Sequence, residues 1–496
     1  MNLLVLAVIV YPLILIGVSI WRSRSVKSHA DFMVAGRSVP VALLVGTLVC
    51  TWIGSGSLFG GAGLAYRSGI AELWFSSGGW IGLIVAYFLA HRVRGIAEYT
   101  VPDLLEKRYN SAARLLGTLA IILAYVTIAA YQFRGGGWIL SIATDGAITP
   151  MVGMLITAAT IVVFTALAGM VSIVTVDVFN GIVITFGVLL ALPYIVFANG
   201  GIGAVAAGLP DGHLTALGGH NLLWVFGVAA PTFLLILGES GMYQKFFSAK
   251  DAKSARRAVI GMLVGIVVIE TAIALLGVVG ASVYPDLAAQ TNDLIGRAAS
   301  ETIILFMAKN SLPMIGGAIL LASAVAIVLS TGNTFLLVPS TNVSRDIYER
   351  FVNPQASEQA KLNVQRAFIV LFGALGLVVL TFFDSVLAMA LYAYSLVGAS
   401  LTPALLAAFL WKRVTPQGGV ACIAGGLGSI LAIKVLSEIG VDFTLTISGT
   451  AFDFASSDYI VVPGVLLSMS LMVIVSLMTP ASPEAKWKPF FEAGPS

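Results

Sequence analysis

The stretch from Leu43 to Gly69, LLVGTLVCTWIGSGSLFGGAGLAYRSG, decides the fold because it is apolar enough to span a bilayer and is nevertheless interrupted by glycine. Gly54-Ser55-Gly56-Ser57 lies in its middle, and an interior glycine weakens a helix by about 1 kcal/mol relative to alanine. Lipid tolerates broken backbone only where protein or a water-filled cavity supplies hydrogen-bond partners. The interruption therefore predicts a site for ions or solute. The alternative is a close helix contact through Gly56 and Gly60.

The composition is that of an integral membrane protein. Of the 496 residues, 58% are hydrophobic and 10% are charged, and the formal net charge is +3. The basic residues are scattered in loops, so nucleic acid binding is not indicated. The sequence shows neither a cluster of metal-ligating residues nor a nucleophile–base arrangement on facing spans, which argues against an enzyme. It gives no sign of an obligate protein partner.

The apolar segments predict an all-α protein with about 13 transmembrane helices. The predicted spans are residues 2–21, 40–65, 71–90, 115–140, 149–168, 173–197, 222–243, 257–283, 313–338, 367–383, 386–411, 417–437 and 459–479. An odd number of spans places the two chain ends on opposite sides of the membrane.

The distribution of basic residues predicts which side each end faces. One set of loops carries Arg22, Arg24, Lys27, Arg92, Arg94, Lys107, Arg108, Arg114, Lys245, Lys250, Lys253, Arg256, Arg257, Arg345, Arg350, Lys361, Arg366, Lys412, Arg413, Lys486 and Lys488. The opposite set holds little more than Arg67, Arg297, Lys309 and Lys434. Because basic loops stay in the cytoplasm, we expect an outer N-terminus and a cytoplasmic C-terminus in the cell (inner) membrane.

A second interrupted span predicts an internal repeat. Pro231 and then Gly238-Glu239-Ser240-Gly241 break the span that starts near residue 222. Spans 2–6 and 7–11 would form two five-helix units of opposite orientation, each opening with a broken helix, as in secondary transporters. The predicted divisions are residues 1–37 (extra first helix and inner loop), 38–197 (first repeat), 222–411 (second repeat) and 412–496 (two extra helices and tail).

Charged and hydroxyl side chains within the spans are the candidate ligands. Arg134, Asp177 and Glu239 cannot easily be placed in loops, and intramembrane charge is costly enough to suggest function. The alternatives are an Arg134–Glu239 ion pair and a helix-capping role for Asp177 at the inner surface. In span 9, positions 327, 330, 331 and 334 share one helical face, whose hydroxyl oxygens suit a hard cation such as sodium. Serine or threonine bonding to its own helix is the other interpretation.

Four motifs carry a resemblance to a known family. They are Asp31-Phe32 with Ala35-Gly36-Arg37, TVPDLLEKRY at residues 100–109, YQKFFSAK at residues 243–250, and Ser330-Thr331 followed by SRDIY at residues 344–348. The chain resembles the sodium:solute symporter family, which includes transporters of glucose, proline, pantothenate, choline and sialic acid. The resemblance implies the leucine-transporter-type five-plus-five inverted repeat with extra helices at both ends.

The same resemblance implies sodium as the coupled ion. The main sodium site would be formed by carbonyl oxygens of Cys50, Ile53 and Ile327 and by hydroxyls of Ser330 and Thr331. Some family members hold a second sodium through an aspartate and further hydroxyls. Asp177, Ser330 and Thr334 fit that pattern, but Asn333 stands where those members have serine.

The solute ligands that we expect are Trp52, Ser57, Arg134 and Glu239. Trp52 resembles the tryptophan of the choline carrier, and Arg134 resembles the position that holds the sialic acid carboxylate. Glu239 falls where sugar carriers have Asp or Asn, and it could bind an amine. These residues favour sodium-coupled import of a carboxylate-bearing or zwitterionic small solute, such as an amino acid or a monocarboxylate. The alternatives are transport of a choline-like cation or a neutral sugar, and a non-transporting solute sensor with the same fold.

Overall fold

A computed structural model describes residues 3–23, 39–96, 98–287, 296–447 and 450–492. Within these residues, eleven helices are long and apolar enough to cross a membrane, and two apolar helices, Leu3–Ser19 and Val41–Trp52, are shorter. The count of thirteen spans stays a prediction, because the two shorter segments do not reach that length by themselves. The motif at residues 31–37 and the first predicted division at residue 37 lie outside the described residues.

The first half of the chain contains a helix broken near its middle. Its helices are α1 (Leu3–Ser23), α2 (Val41–Trp52), a π-helix (Gly56–Gly61), α3 (Ala62–Ser68), a 3₁₀ turn (Gly69–Glu72), α4 (Leu73–Ile96), α5 (Val101–Arg108), α6 (Ser111–Ala143), α7 (Pro150–Ala198) and α8 (Gly201–Ala207). The predicted span 40–65 thus covers α2, the π-helix and the start of α3, with two non-helical residues, Ile53 and Gly54, after α2. The interruption expected from the glycines is present.

The second half contains the other broken helix. Its elements are α9 (Leu222–Gly238), α10 (Ser240–Ser248), α11 (Ala252–Val283), a 3₁₀ helix (Gly296–Thr302), α12 (Ile303–Asn310), α13 (Met314–Asn342), a π-helix (Val343–Val352), α14 (Glu358–Val379), a 3₁₀ turn (Leu380–Phe382), α15 (Val386–Leu410), α16 (Pro416–Glu438), α17 (Val461–Met478) and α18 (Glu484–Phe491). Helices α9 and α10 meet at Glu239, where the backbone is extended.

Local sequence signals account for several helix starts. The side chains of Asn110, Thr149, Ser385 and Thr415 each accept a hydrogen bond from a backbone N–H in the first turn of α6, α7, α15 and α16, respectively. Such caps satisfy amide groups that have no partner within the helix. Proline follows Thr149 and Thr415, at a position where its missing N–H costs nothing.

Helix α7 corresponds to two predicted spans. Gly169 inside it has φ 60° and ψ 179°, a conformation that only glycine adopts readily, and this kink separates residues 150–167 from residues 172–198. The change of direction agrees with the predicted boundary between spans 149–168 and 173–197.

One small sheet departs from the expected all-helical architecture. Strands β1 (Thr444–Ile447) and β2 (Thr450–Asp453) pair antiparallel between α16 and α17, with Thr444 opposite Asp453. The loop between the last two predicted spans thus has regular structure that the hydropathy pattern does not show.

Both interruptions are buried within the protein, since residues 53–65 and residues 235–249 are all buried. Helix α13 packs against α7 and α6, α2 packs against α7 and α11, and α9 packs against α4 and α15. Nearly every residue of α13 from Leu320 to Asn342 is buried. The two interruptions therefore face protein, where their free backbone groups can find partners.

Candidate functional site

The first interruption is held open by side chains of two neighbouring helices. Helix α2 ends at Trp52, and Ile53 is extended with φ −76° and ψ 96°. The backbone N–H and the hydroxyl of Ser55 both donate to Oε1 of Gln132 on α6, at 3.0 and 2.6 Å. A Cβ at Gly54 would lie 2.9 Å from atoms of both Gln132 and Thr331. Glycine is required there because α6 and α13 approach the backbone so closely.

Backbone oxygens exposed by this break converge on one threonine of α13. The hydroxyl oxygen of Thr331 lies 3.3 Å from the carbonyl oxygen of Cys50, 3.4 Å from that of Thr51 and 3.2 Å from that of Ile53. Ile327 lies one turn before Thr331 on the same buried face. The structure thus brings together Cys50, Ile53 and Thr331 of the predicted sodium ligands, in an oxygen-rich arrangement that suits a hard cation.

Ser330, the remaining predicted sodium ligand, is bonded to an aspartate. Its hydroxyl donates to Oδ1 of Asp177 at 2.5 Å, and the hydroxyl of Thr47 donates to Oδ2 at 2.5 Å. The Cys50 thiol donates to the Asp177 carbonyl at 3.0 Å. Asp177 is buried within the second part of α7, so the interpretation as a helix cap at the inner surface is wrong. It instead connects α2, α7 and α13.

Lys245 is a site residue that the sequence reasoning missed, because it was counted as a charge of an inner loop. It lies within α10 and is fully buried. Its ammonium group donates to the carbonyl oxygen of Thr47 at 2.8 Å and to the hydroxyl of Thr51. Its position in YQKFF, among large apolar residues, is the feature of the sequence that could have indicated its burial.

Two residues expected to hold a second sodium, Asp177 and Thr334, contact α2 at different residues, namely Thr47 and Thr51. The Thr334 hydroxyl lies 3.2 Å from that of Thr51, the residue that also contacts Lys245. Asn333, which departs from the family pattern, accepts a hydrogen bond from Thr165 at 3.1 Å. Asp177 accepts hydrogen bonds from Ser330 and Thr47. Because Thr51 also contacts Lys245, a positively charged side chain already lies beside Thr334.

Glu239 and Arg134 do not form the ion pair that was considered, so that interpretation is wrong. The Glu239 carboxylate caps α10, accepting from the N–H groups of Gly241 at 2.8 Å and Met242 at 2.6 Å and from the Tyr125 hydroxyl at 2.9 Å. Two of these donors are backbone N–H groups of α10 itself, and Lys245 lies within electrostatic range, so this carboxylate already has a structural role and a nearby cation. Glu239 nevertheless lines a small central cavity between the two interruptions.

Arg134 is anchored through one end of its guanidinium group. Nη2 donates to the carbonyl oxygens of Leu380 at 2.8 Å and Phe383 at 2.6 Å, which lie at the end of α14. Nη1 is buried and has no hydrogen-bond partner within the described parts of the chain. A fixed guanidinium with one unused donor is compatible with the predicted role in holding a carboxylate.

Trp52 and Ser57 converge on a carboxylate that the sequence reasoning also missed. The indole N–H of Trp52 and the hydroxyl of Ser57 donate to Oε1 of Glu270 at 2.9 and 3.0 Å. The indole N–H of Trp80 donates to Oε2 at 2.7 Å. Glu270 lies on α11 inside the predicted span 257–283, so a charged residue within an apolar run was a visible signal.

The central cavity has a volume of about 10 Å³, roughly enough for one water molecule, and lies between the two interruptions. It is lined by Leu48, Thr51, Trp52, Tyr131, Leu235, Glu239, Met242, Lys245, Met262, Thr331, Phe335 and Tyr394. Thr331, a predicted sodium ligand, and Trp52, a predicted solute ligand, thus line the same cavity.

The profile of the sodium:solute symporter family matches residues 32–426. The chain belongs to this family. The osmoregulated proline transporter OpuE of Bacillus subtilis (strain 168) is 25% identical over 93% of this chain and 92% of its own length. The sodium/pantothenate symporter of Escherichia coli (strain K12) is 26% identical, covering 88% and 92%, respectively. The sodium/proline symporter of the same strain is 25% identical, covering 99% and 96%.

Solved structures show the same fold at low sequence identity. A substrate-bound, outward-open Na⁺-coupled sialic acid symporter matches 97% of this chain and 99% of its own, with a TM-score of 0.78 and 15% identity. MhsT in complex with L-phenylalanine matches 88% and 97%, with a TM-score of 0.56 and 15% identity. These neighbours confirm the leucine-transporter-type fold with its interrupted helices.

Family membership confirms several predictions made from the sequence. This multi-pass membrane protein is a sodium-coupled solute importer, not an enzyme, and Na⁺ is the co-transported ion. The individual site residues, the boundaries of the repeats and the orientation of the chain ends stay predictions.

Proposed function

We propose that this protein imports a small carboxylate-bearing or zwitterionic solute together with sodium across the cell membrane. Its N-terminus would lie outside and its C-terminus in the cytoplasm, as the basic loops favour. The relatives named for proline and pantothenate support the solute class, because both molecules carry a carboxylate. A site between two interrupted helices supports transport by alternating access.

The approach of Thr331 to the carbonyls of Cys50 and Ile53 is the observation that carries the sodium assignment. In this proposal sodium is bound by Cys50, Ile53, Ile327, Ser330 and Thr331 and joins the first broken helix to α13. A ligand that binds one conformation more tightly shifts the population towards that conformation. Sodium would thereby stabilise the solute-competent state, and its release on the cytoplasmic side would free the solute.

One sodium would accompany each solute. The ammonium group of Lys245 supplies positive charge beside Thr51, next to the Thr334 hydroxyl that was expected to bind a second ion. Fixed cations repel a mobile cation at short range, and the effect is strong in a low-dielectric interior. In this proposal the expected second site of Asp177 and Thr334 therefore remains without sodium.

The solute would bind between the units formed by residues 38–197 and 222–411, against Trp52 and Ser57 of the first break. Arg134 would bind the carboxylate through Nη1, and Glu239 would shape the cavity wall while it caps α10. Rocking of the two units around this site would open it alternately to each side.

Uptake by purified protein in liposomes tests the proposal. We would measure uptake of L-proline, pantothenate, L-phenylalanine, choline and glucose with an inward sodium gradient, and again with potassium in place of sodium. Sodium-dependent uptake of a carboxylate-bearing solute is expected. Uptake at the same rate with and without the sodium gradient would contradict coupling to sodium. Uptake of only choline or glucose would contradict a carboxylate-bearing or zwitterionic solute. Sodium-dependent binding without uptake would favour a sensor.

A further inference from the structure

Glu270 is a buried carboxylate whose hydrogen-bond donors among the described residues are all uncharged. It is 3% exposed, and its three hydrogen-bond donors are two indole N–H groups and one hydroxyl. Within the described parts of the chain, no lysine, arginine or histidine is among its interaction partners. An ionised carboxylate in a low-dielectric interior is costly without a cation, and the residues that the structure describes supply none here.

A second carboxylate increases the negative charge at the same place. Glu72 is 2% exposed and lies within electrostatic range of Glu270. The Ser76 hydroxyl donates to its Oε1 at 2.9 Å, but its buried Oε2 has no hydrogen-bond partner among the described residues. Buried polar atoms are almost always paired, so an unpaired carboxylate oxygen indicates a missing donor.

Aromatic rings border these carboxylates and continue into the central cavity. The Trp52 N–H is fixed by Glu270, while its ring lies so close to Gly79 that a Cβ there would come within 2.5 Å. Trp52, Tyr131 and Tyr394 line the central cavity, and the hydroxyls of the two tyrosines lie 3.2 Å apart. Aromatic faces attract cations, most strongly when they are shielded from water.

We propose that Glu270, together with Trp52 and Trp80, binds a cationic nitrogen of the transported solute. The solute is then a zwitterion, such as an amino acid or a betaine, and not a simple monocarboxylate. The cationic nitrogen approaches the Trp52 face from the central cavity and is attracted by the Glu270 carboxylate behind it. This assignment rests on the proposed sodium-coupled import, and it moves the amine-binding role from Glu239 to Glu270.

Matched pairs of solutes test the assignment without any mutation. Binding and sodium-driven uptake would be compared for L-proline and cyclopentanecarboxylate, which differ in the ring nitrogen, and for glycine betaine and 3,3-dimethylbutanoate, which has carbon in place of the charged nitrogen. The nitrogen-bearing member of at least one pair is expected to bind about tenfold or more tighter than its nitrogen-free partner. Equal binding of both members of a pair that is transported would overturn the proposal.

Glu270→Gln then tests the carboxylate itself. The variant keeps the size of the side chain but removes its charge, and affinity for the nitrogen-bearing solute should fall about tenfold or more. Glu270→Asp should retain part of that affinity, and Glu438→Gln, which changes an exposed glutamate paired with Lys434, should leave it unchanged. The sodium concentration that gives half of the maximal rise in melting temperature of the solute-free protein should be the same in all variants that fold.

The outcomes separate this assignment from the proposed function. Sodium-driven uptake of a nitrogen-free carboxylate, with affinity unaltered in Glu270→Gln, would overturn the assignment and leave sodium-coupled import intact. Sodium-driven uptake of choline alone would support the cationic site and contradict the carboxylate class. If sodium affects no solute in the unmodified protein, the proposed function itself fails.

Discussion

The hydroxyl oxygen of Thr331 lies 3.2 Å from the carbonyl oxygen of Ile53, and this contact joins α13 to the break in the first interrupted helix. The two residues are far apart in the sequence and come from the two predicted repeats. An ion that binds both would therefore respond to the relative position of the repeats, which is the requirement for coupling ion binding to transport.

Thr331→Ala should raise the sodium concentration for half-maximal uptake about ten- to hundredfold. Losing an oxygen that interacts with a charged group costs about 1.5–3 kcal/mol, which corresponds to that range. Thr331→Ser should restore most of the sodium affinity. Thr160→Ala is the matched control, because the one partner of the Thr160 hydroxyl among the described residues is the Ile156 carbonyl of its own helix. A normal sodium response in Thr331→Ala would refute the site.

Gly54→Ala should disrupt the same site through the backbone. The added Cβ would lie 2.9 Å from both Gln132 and Thr331, and overpacking of this kind costs about 1–3 kcal/mol. We expect sodium-driven uptake to fall about tenfold or more, with a lower melting temperature. Gly428→Ala in α16 is the control, because nothing lies within 4 Å of its added Cβ. Equal uptake by the two variants would contradict the close packing at Gly54.

Lys245→Met should make the stability of the protein depend more strongly on sodium. Removing one charge of a buried group of charges costs about 3–5 kcal/mol when the opposite charge remains buried. Asp177 would then lack its nearby cation, and sodium could take that place. The melting temperature should therefore rise more on exchange of potassium for sodium in Lys245→Met than in the unmodified protein.

The control for this variant is Lys309→Met, which removes a lysine paired with the largely exposed Asp145. It should respond to the two salts as the unmodified protein does. If the melting temperature of Lys245→Met also rises no more with sodium than that of the unmodified protein, the Lys245 ammonium group does not occupy the place of a second sodium ion.

The sequence predicted those parts of the site that depend on residues close together in the chain. Glycines within an apolar segment indicate a helix break whatever the segment packs against, so Cys50 and Ile53 could be named from the break and the resemblance. Thr331 and its neighbours share a helical face, which spacing alone indicates. The structure then brings the break and this face together.

Pairings between distant segments could not be predicted in the same way. Lys245 resembles a loop charge, because only the packing of α10 beneath α2 reveals that it is buried. Arg134 and Glu239 have opposite charges, but each has partners of its own that spacing cannot show. Glu270 is different, because the sequence shows a charged residue within an apolar segment. Only the partners of Glu270 could not be predicted without the structure.

Arg134→Gln should remove the preference of the transporter for a carboxylate. Nη2 is held by the carbonyls of Leu380 and Phe383, so the buried Nη1 is the donor left to bind an anionic group. In the unmodified protein L-proline should compete for uptake much better than L-prolinamide, which lacks the negative charge. Losing one partner of a buried charged interaction costs about 2–5 kcal/mol, so affinity for L-proline should fall at least about tenfold.

Affinity for L-prolinamide should change much less, because it makes no charged contact with Arg134. This difference separates solute binding from a general loss of structure, which would weaken both ligands alike. Arg67→Gln is the control, since its guanidinium group donates to Ser300 in an exposed contact. If the preference for L-proline over L-prolinamide persists in Arg134→Gln, Arg134 only anchors the end of α14, and the carboxylate must bind elsewhere.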